Sequence, residues 1–330
     1  MKHILRTSRT SSSFISIRAL VLALAVTGAA SRGMAQVGTG ETVIQRATEQ
    51  FDSSPLTTTS LGKGLFMFSG DGGDVTAIVD DGSTLLIDSG IDSRVTELSE
   101  AIFKVTGRPI TQLVNTHWHF DHTGGNVYFG SAGVSIIAQE NVKKRLMSVQ
   151  DVPFVGLRDG HYPSQALPNV SYSSGMTLHQ GSQQLTLDNY GPAHTDGDTV
   201  IYIAPANVAV VGDIFSNQVY PIIDLASGGS IDGLIHAVDQ VLSRTDEQTK
   251  IVPGHGPVAT RGDLQNYRDM LAQVRQRIKE LIAAGKTMDE AVAAGPTKDF
   301  DATWGSGYVT ANVFTKMVFS SLGNTSSATR

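Results

Sequence analysis

The chain has 330 residues, of which 40% are hydrophobic and 17% charged, proportions typical of a globular protein with a sizeable core. Its formal net charge is −6 and it contains no cysteine, which excludes disulfides and thiolate metal ligands. The sequence contains no basic patch of the kind that binds nucleic acid or acidic lipid, so we expect a small-molecule substrate and no nucleic-acid partner.

The first residues have the organisation of a secretory signal peptide. Basic residues between Lys2 and Arg18 precede the apolar run 19–26, and small residues follow up to Ala35. Because this run is too short to span a bilayer comfortably, we expect cleavage near Ala35 and no stable membrane anchor afterwards. A signal peptide over residues 1–35 predicts a periplasmic or secreted protein.

The next part of the chain predicts an irregular segment followed by a sheet. Residues 36–62 are polar and rich in Thr and Ser, which predicts an irregular lead-in. Apolar runs joined by Gly-Asp turns then predict strands at 64–69, 75–79 and 84–87. A helix is predicted from Asp92 to Val105.

Three imidazoles and a carboxylate fall within six residues, directly after a strand-like run that ends at Val114. The segment consists of Thr116, His117, Trp118, His119, Phe120, Asp121 and His122. Imidazole nitrogen and carboxylate oxygen are ligands of divalent zinc, so this segment has the composition of half a metal site at the end of a strand. Histidines clustered on a solvated loop are the alternative, which the spacing and the partners further along the chain disfavour.

Three more candidate ligands occur later, each in a glycine-rich or turn-like setting. His194 follows Gly-Pro-Ala, Asp213 ends the apolar run 208–211 with its glycine, and His255 lies within Pro-Gly-His-Gly-Pro. Each follows or ends a run that predicts a strand, and strand ends hold ligands on a hydrogen-bonded framework. Residues 148–175 contain three prolines and little periodicity, which predicts a long loop beside the site.

The order of these motifs resembles that of the metallo-β-lactamase superfamily of metal-dependent hydrolases, from about Leu65 to His255. The resemblance implies an α/β fold in which residues 63–260 form a four-layer αβ/βα sandwich, with a dinuclear metal site at one edge of the two sheets. It implies two Zn²⁺ per chain, with iron or manganese as alternatives. It also implies two sets of ligands that share one bridging carboxylate: His117, His119 and His194; Asp121, His122 and His255; and Asp213 between them.

We predict further roles for two carboxylates, one outside the set of ligands and one within it. Asp88 ends a strand-like run as Asp213 does, and we predict that it orients a ligand histidine, with capping of the following turn as an equal alternative. Asp121 is the candidate catalytic residue, because it can relay a proton as well as bind metal. The implied reaction is hydrolysis by a hydroxide that bridges two cations roughly 3.5–4 Å apart.

The end of the chain is predicted to be helical. Apolar residues recur at helical spacing in 231–242, in 264–281 and in 313–318, so residues 261–330 are predicted to form a helical extension. This extension can pack on the core or form a dimer surface, and the oligomeric state stays open. His236 lies off the apolar face of its helix, which predicts a solvent-exposed side chain.

The substrate is less clearly indicated than the metal site. A bridging Asp213 resembles hydroxyacylglutathione hydrolases and lactonases more than β-lactamases, and no Lys or Arg lies between Asp213 and Arg244 to bind a carboxylate. Phe215, Tyr220 and Ile222 are candidates for an apolar substrate pocket, with plain packing in the core as the alternative. We expect an uncharged substrate with an ester, lactone, thioester or amide bond.

Three other functions fit the same motifs. β-Lactam hydrolysis is one, as a main or a side activity. Mononuclear iron persulfide dioxygenases of this superfamily share the His-x-His-x-Asp-His signature, although predicted export separates the chain from their thiol cosubstrate. A non-catalytic metal-binding accessory protein is the third, and suits a truncated set of ligands better than this complete one.

Overall fold

The computed structural model describes residues 42–70 and 72–325, so the predicted signal peptide over 1–35 lies outside the described residues. The described strands are β1 (Thr57–Gly62), β2 (Leu65–Ser69), β3 (Val75–Val79), β4 (Thr84–Ile87), β5 (Ile110–Val114), β6 (Ser135–Gln139), β7 (Val149–Val152), β8 (Leu157–Gly160), β9 (Val170–Tyr172), β10 (Gly175–Gln180), β11 (Gln183–Asp188), β12 (Val200–Ala204), β13 (Val208–Val210) and β14 (Lys250–Val252). The α-helices are α1 (Val43–Ser53), α2 (Val95–Thr106), α3 (Phe120–Thr123), α4 (Asn126–Ser131), α5 (Glu140–Leu146), α6 (Ile231–Arg244), α7 (Arg261–Ala283), α8 (Met288–Ala294), α9 (Asp301–Trp304) and α10 (Ala311–Thr325).

Seven strands form a mixed sheet in the order β1-β2-β3-β4-β5-β6-β9. The pairs from β1 to β4 are antiparallel, whereas β4, β5, β6 and β9 pair in parallel. Parallel neighbours need a crossover connection, which α2 provides between β4 and β5. Their carboxyl ends therefore lie at the same edge of the sheet, where Asp88 follows β4 and the histidine-rich segment follows β5.

Five strands form the second large sheet, in the order β10-β11-β12-β13-β14. Strands β11 and β13 both pair antiparallel with β12, and β13 pairs in parallel with β14. The carboxyl ends of β11, β13 and β14 consequently share one edge, and His194, Asp213 and His255 follow these three strands. The topology thus places the later candidate ligands together, although up to 61 positions separate them in the chain.

The two sheets pack face to face, and helices cover both outer faces. Between the sheets, Ile87 and Val114 of the first pack among Leu187 and Val210 of the second. The outer face of the first sheet packs against α2 and α4. The outer face of the second packs against α6, α7 and α10. The order helix, sheet, sheet, helix confirms the predicted four-layer αβ/βα sandwich.

The prediction of an irregular lead-in over 36–62 is wrong for the residues that the structure describes, because they contain α1 and β1. Helix α1 begins with a capping box in which Thr42 and Gln45 bond reciprocally. Three buried residues spaced by four form its apolar face: Val43, Ala47 and Phe51. Because polar residues lie between them, the composition of the segment does not indicate a helix. Strand β1 is a Thr-rich edge strand with one buried side chain, Leu61.

The prediction of a long loop over 148–175 is also wrong. Strands β7 and β8 pair as a two-stranded antiparallel sheet, and β9 completes the large first sheet. These strands have only three or four residues each, so their alternation is too short to stand out from the sequence.

The C-terminal helices pack on the core, one of the two arrangements that the sequence left open. Leu271 and Val274 of α7 are fully buried against the second sheet's helical layer. Phe314 of α10 stacks on Tyr220 with 4.7 Å between the ring centroids. His236 is exposed on α6, as predicted. Among the described residues, no helix is both long enough and apolar enough to cross a membrane.

Candidate metal centre

The seven predicted ligands meet at the edge where both sheets end. They form two buried groups in which potential ligand atoms lie within 4.8 Å of one another: His117, His119, His194 and Asp213; and Asp121, His122 and His255. All seven residues are at most 7% exposed. The structure therefore brings together every residue that the sequence analysis named as a ligand.

The histidine-rich segment changes from extended to helical backbone between its ligands. His119 has an extended conformation (φ −61°, ψ 149°) and α3 begins at the next residue. The rings of His117 and His119 meet edge to face, with 4.8 Å between their centroids. The ring of His122, in the helical turn, lies 4.3 Å from that of His117, and the His122 N–H donates to the His119 carbonyl at 3.0 Å.

Two glycines permit the backbone to approach the ligands closely. A Cβ on Gly254 would collide with Asp213 Oδ1, and a Cβ on Gly73 would collide with the ring of His122. Both positions thus require glycine for space, independently of backbone conformation.

Hydrogen bonds fix the tautomers of His194 and His119. In each ring, the nitrogen that points away from the metal centre (the outer nitrogen) has an acceptor. His194 Nδ1 lies 2.8 Å from the Ile222 carbonyl oxygen, and His119 Nε2 lies 3.1 Å from Asp224 Oδ2. Both partners can only accept, so these two nitrogens carry the protons in the neutral rings. The inner nitrogens, His194 Nε2 and His119 Nδ1, then turn lone pairs towards each other across 2.9 Å. Two facing acceptors require a cation or an additional proton between them.

Asp88 arranges a second pair of imidazoles in the same way. It accepts from His122 Nδ1 at 2.8 Å and from the Thr116 hydroxyl at 2.7 Å. Because that hydroxyl donates to Asp88, its oxygen accepts from His117 Nδ1 at 3.1 Å. Asp88 thus contacts His122 directly and His117 through Thr116, which is the geometry that its predicted orienting role requires.

Three buried atoms at the centre have no hydrogen-bond partner among the described residues: His117 Nε2, His122 Nε2 and Asp213 Oδ1. His122 Nε2 and Asp213 Oδ1 are 3.1 Å apart without the geometry of a hydrogen bond. Buried polar atoms are almost always satisfied in proteins, so three together at this centre fit a positively charged partner. The nitrogen and oxygen donors fit a divalent cation such as zinc.

The pKa values of the imidazoles are shifted in two opposite directions. Burial lowers the pKa of His117 well below its ordinary value and that of His194 to about 4, with neighbouring imidazoles adding to the effect. Burial also acts to lower the pKa of His122, but Asp213, Asp121 and Asp88 together raise it well above its ordinary value. In the first group, burial acts to lower the pKa of His119 but Asp224 raises it above its ordinary value. Protons and a metal ion therefore compete for His119 and for the second group, since a histidine must be deprotonated at the nitrogen that binds metal.

Asp224 and Asp74 were missed in the sequence analysis. Asp224 is fully buried, and although burial opposes ionisation, its contact with His119 lowers its pKa to about 2. Asp74 is also buried, which raises its pKa to about 8, and its Oδ2 has no hydrogen-bond partner among the described residues. Neither aspartate belongs to a recognisable spacing, so only the folded arrangement identifies them.

Replacing Asp224 with alanine is expected to weaken zinc binding by about 10- to 100-fold, because His119 then loses the acceptor that fixes its tautomer. Competition against a chromophoric chelator measures the change. Asp289→Ala on the exposed face of α8 is the matched control and is expected to bind zinc like the wild type. Wild-type affinity in the Asp224→Ala variant would contradict the proposed role.

A small pocket opens onto the two groups. Its floor includes His119, Asp121 and Asp213, and its volume is about 20 Å³, the space of roughly one water molecule. The remaining wall consists of Ile44, Ala47, Phe51, Phe120, Val155, Leu157, Ile222 and Tyr308. Most of these side chains are apolar, and none of the described residues that line the pocket is lysine or arginine.

Only one of the three predicted pocket residues lines this wall. Ile222 does, whereas the predictions for Phe215 and Tyr220 are wrong. Phe215 is 1% exposed and packs against Tyr267 at 4.9 Å, and Tyr220 is fully buried with its hydroxyl donating to Asp301. The reason is that the chain after Asp213 turns beneath the C-terminal helices, which bury both rings in the core.

The sequence matches a family model described as the metallo-beta-lactamase superfamily over residues 69–271. It is 22% identical to a metallo-beta-lactamase type 2 of Bacillus cereus over 192 residues, which cover 57% of this chain and 68% of the relative. It is 27% identical to a hydroxyacylglutathione hydrolase of Polaromonas sp. (strain JS666 / ATCC BAA-500) over 176 residues, covering 50% of this chain and 56% of the relative.

Solved structures show the same fold. A metallo-beta-lactamase from Pontibacter korlensis superposes with a TM-score of 0.56 and 21% identity, covering 66% of this chain and 99% of that one. The crystal structure of DIM-1 metallo-beta-lactamase gives a TM-score of 0.54 and 18% identity, with 67% and 99% covered. Both similarities concern the sandwich, and about a third of the present chain lies outside them.

Proposed function

Because the chain belongs to the metallo-β-lactamase superfamily, we propose that it is an exported, dinuclear zinc-dependent hydrolase of uncharged esters, lactones, thioesters or amides. The observation that supports this most directly is the pair of adjoining buried groups, each of which can hold a cation. Iron bound in the first group alone would leave Asp121, His122 and His255 buried without a cation, which disfavours a mononuclear dioxygenase. The completeness of both groups also disfavours a non-catalytic accessory protein.

We assign the two groups to two metal ions. One would be held by His117, His119 and His194, and the other by Asp121, His122 and His255, with Asp213 contacting both. Zinc bound there would supply a water with a pKa of about 7 and a positive charge that polarises the scissile carbonyl.

The chain's own residues would orient the reactants and move the proton. Asp121 Oδ2 lies 3.2 Å from His255 Nε2, which leaves its second carboxylate oxygen as the atom that holds a proton during turnover. Asp88 and Asp224 would keep three ligand imidazoles in their required tautomers. The apolar pocket wall would exclude bulk water, which strengthens the electrostatic interactions within the site.

The pocket wall supports an uncharged substrate. β-Lactam antibiotics and glutathione thioesters carry carboxylates, and burying a carboxylate without a positive partner is costly. None of the described wall residues offers such a partner, so only the bound metal ions could balance the charge. β-Lactam hydrolysis is the second candidate, favoured by the similarity to the Bacillus cereus enzyme.

The proposal is tested by metal analysis followed by a substrate screen on the same preparation. We expect two zinc ions per chain and turnover of p-nitrophenyl acetate or γ-butyrolactone at least about tenfold above that of nitrocefin and S-lactoylglutathione. One iron per chain with oxygen consumption on a persulfide would indicate a dioxygenase. Preference for nitrocefin would establish the β-lactamase alternative instead.

Export is proposed from the sequence of residues 1–35, with cleavage near Ala35. Fractionation of expressing bacteria, with N-terminal sequencing of the processed chain, tests it. A full-length chain that stays in the cytoplasm would contradict this part of the proposal.

A further inference from the structure

Four residues of the pocket wall lie outside the region matched by the family: Ile44, Ala47, Phe51 and Tyr308. Helix α1 precedes that region, which begins at residue 69, and Tyr308 follows its end at residue 271. We propose that α1 and Tyr308 are the specificity wall of the site, restricting it to substrates with short, uncharged aliphatic acyl groups, and that Phe51 sets the length limit. This inference rests on the proposed hydrolase function and names its substrate class.

Phe51 packs beside His255, one of the candidate ligands. Its ring is parallel to the His255 imidazole, with an interplanar angle of 2° and 5.8 Å between centroids. Tyr308 meets the same imidazole edge-on at 5.6 Å and meets Phe51 at 6.0 Å. The three rings form one cluster, so any group that reaches the centre from this side must pass Phe51 and Tyr308.

Polar contacts hold α1 in this position. The Ile44 N–H donates to the Val155 carbonyl at 3.1 Å, which joins α1 to the turn between β7 and β8. Arg46 donates to the Tyr308 carbonyl through Nη2 at 2.8 Å and through Nε at 3.1 Å. Arg94 Nη1 donates to the Phe51 carbonyl at 2.8 Å, at the end of the helix. The helix is thus attached at both ends and in the middle, and part of its anchorage is the same Tyr308.

The wall that α1 contributes is apolar and closely packed. Ile44, Ala47 and Phe51 line the pocket together with Leu157 and Ile222. The remaining space of about 20 Å³ accommodates roughly one water molecule, so a short acyl group already requires side-chain rearrangement. A longer chain meets Phe51, a residue that is 4% exposed and whose ring packs against His255 and Tyr308.

Binding of alkyl hydroxamates to the zinc-loaded full-length protein tests the proposal by calorimetry, without turnover. For the wild type we expect affinity to stop rising beyond about four carbons. In Phe51→Ala, each further methylene up to octanohydroxamate is expected to add about fourfold in affinity, with acetohydroxamate unchanged within twofold. Phe103→Ala, the same change at a 61% exposed position on α2, is the matched control and is expected to keep the wild-type profile.

A second variant and a charged probe complete the test. Ala47→Val narrows the same wall, and butanohydroxamate is expected to bind it at least fivefold more weakly than the wild type while acetohydroxamate is retained. This variant replaces Phe51→Ala if the latter fails to fold with two zinc ions. Succinic monohydroxamate, which carries a carboxylate at comparable length, is expected to bind the wild type at least tenfold more weakly than butanohydroxamate.

Equal affinity across chain lengths in the wild type, or an unchanged profile in both α1 variants, would overturn the proposal that this wall limits the length of the acyl group. Equal binding of the succinic and butanoic probes would overturn the selection against charge. Because these are binding measurements, a normal length profile without turnover of any ester, lactone, thioester or amide would reject the hydrolase function and leave the wall in place.

Discussion

Replacing Asp213 with alanine is expected to release zinc and to lower kcat/KM by at least about a thousandfold. Its Oδ1 lies 3.1 Å from His122 Nε2, and its Oδ2 lies 3.5 Å from His255 Nε2 and 3.7 Å from His194 Nε2. No other carboxylate of the described chain faces imidazoles of both groups at these distances. The loss of about 4 kcal/mol of transition-state stabilisation corresponds to the stated factor.

Metal content per chain and steady-state kinetics on the best ester or lactone measure this effect. Asp213→Asn separates charge from size, since it keeps the shape of the side chain and removes its negative charge. We expect it to resemble Asp213→Ala, because the pKa of Asp213 is held well below its ordinary value by His255 and His122 in spite of burial, so the carboxylate is charged at neutral pH. Retention of two zinc ions and wild-type kcat/KM in either variant would refute the role assigned to Asp213.

Removing the metal with a chelator is expected to lower the melting temperature by at least about 10 °C and to abolish hydrolysis. A ligand present at a thousand times its dissociation constant stabilises the native state by about 4 kcal/mol per site. With an unfolding entropy of about 2.1 cal/mol/K per residue, each kcal/mol corresponds to about 1.7 °C for a folded region of this size, so two sites together exceed 10 °C. Without a cation, the facing nitrogens of His119 and His194, which lie 2.9 Å apart, need an additional proton between them.

Two histidines contribute to the pH dependence of the metal-free protein with opposite signs. Burial lowers the pKa of His255, but Asp213 and Asp121 raise it to about 10, so its contribution to stability is complete below about 6.5 and is lost as the pH rises towards 10. Burial lowers the pKa of His194 to about 4, so stability is lost as the pH falls from about 6.5 towards 4. These two histidines act to place the highest stability of the metal-free protein near pH 6.5, whereas the raised pKa of buried Asp74 acts to lower it as the pH rises from about 4 towards 8.

Scanning fluorimetry across pH, before and after addition of zinc, measures both effects. Zinc requires deprotonated ligands, so the zinc-loaded protein is expected to keep its stability above pH 7, where the metal-free protein loses it. Addition of Mg²⁺ is the control and is expected to restore neither stability nor activity, because Mg²⁺ prefers oxygen ligands. A melting temperature that chelation does not change would contradict the assignment of the two groups as metal sites.

The candidate ligands could be recognised from the sequence because their chemistry is local. His117, His119, Asp121 and His122 lie within six residues, and the later ligands each follow a strand with glycine nearby. Asp88 could be identified for the same reason, since it ends a buried strand as Asp213 does. The sandwich followed from the same motifs through the family resemblance, and the alternation of strands and helices agrees with it.

The surroundings of the centre depend on contacts between distant segments. Phe51 and Tyr308 are 257 positions apart in the chain, and Asp224 meets His119 from 105 positions away. No spacing rule connects such residues, because their contact depends on how whole helices and sheets pack. For the same reason the sequence could not distinguish Ile222, which faces the pocket, from Phe215 and Tyr220, which the C-terminal helices bury.

The sequence by itself therefore determined the metal-binding chemistry, since residue type and short-range spacing decide which atoms can bind a cation. The tertiary structure decided which tautomers the imidazoles adopt, because a tautomer depends on the acceptor at the outer nitrogen, as with Asp224 at His119. It also decided the shape and charge of the pocket, because a wall built from the first helix and a residue near the end of the chain exists only after the core has packed.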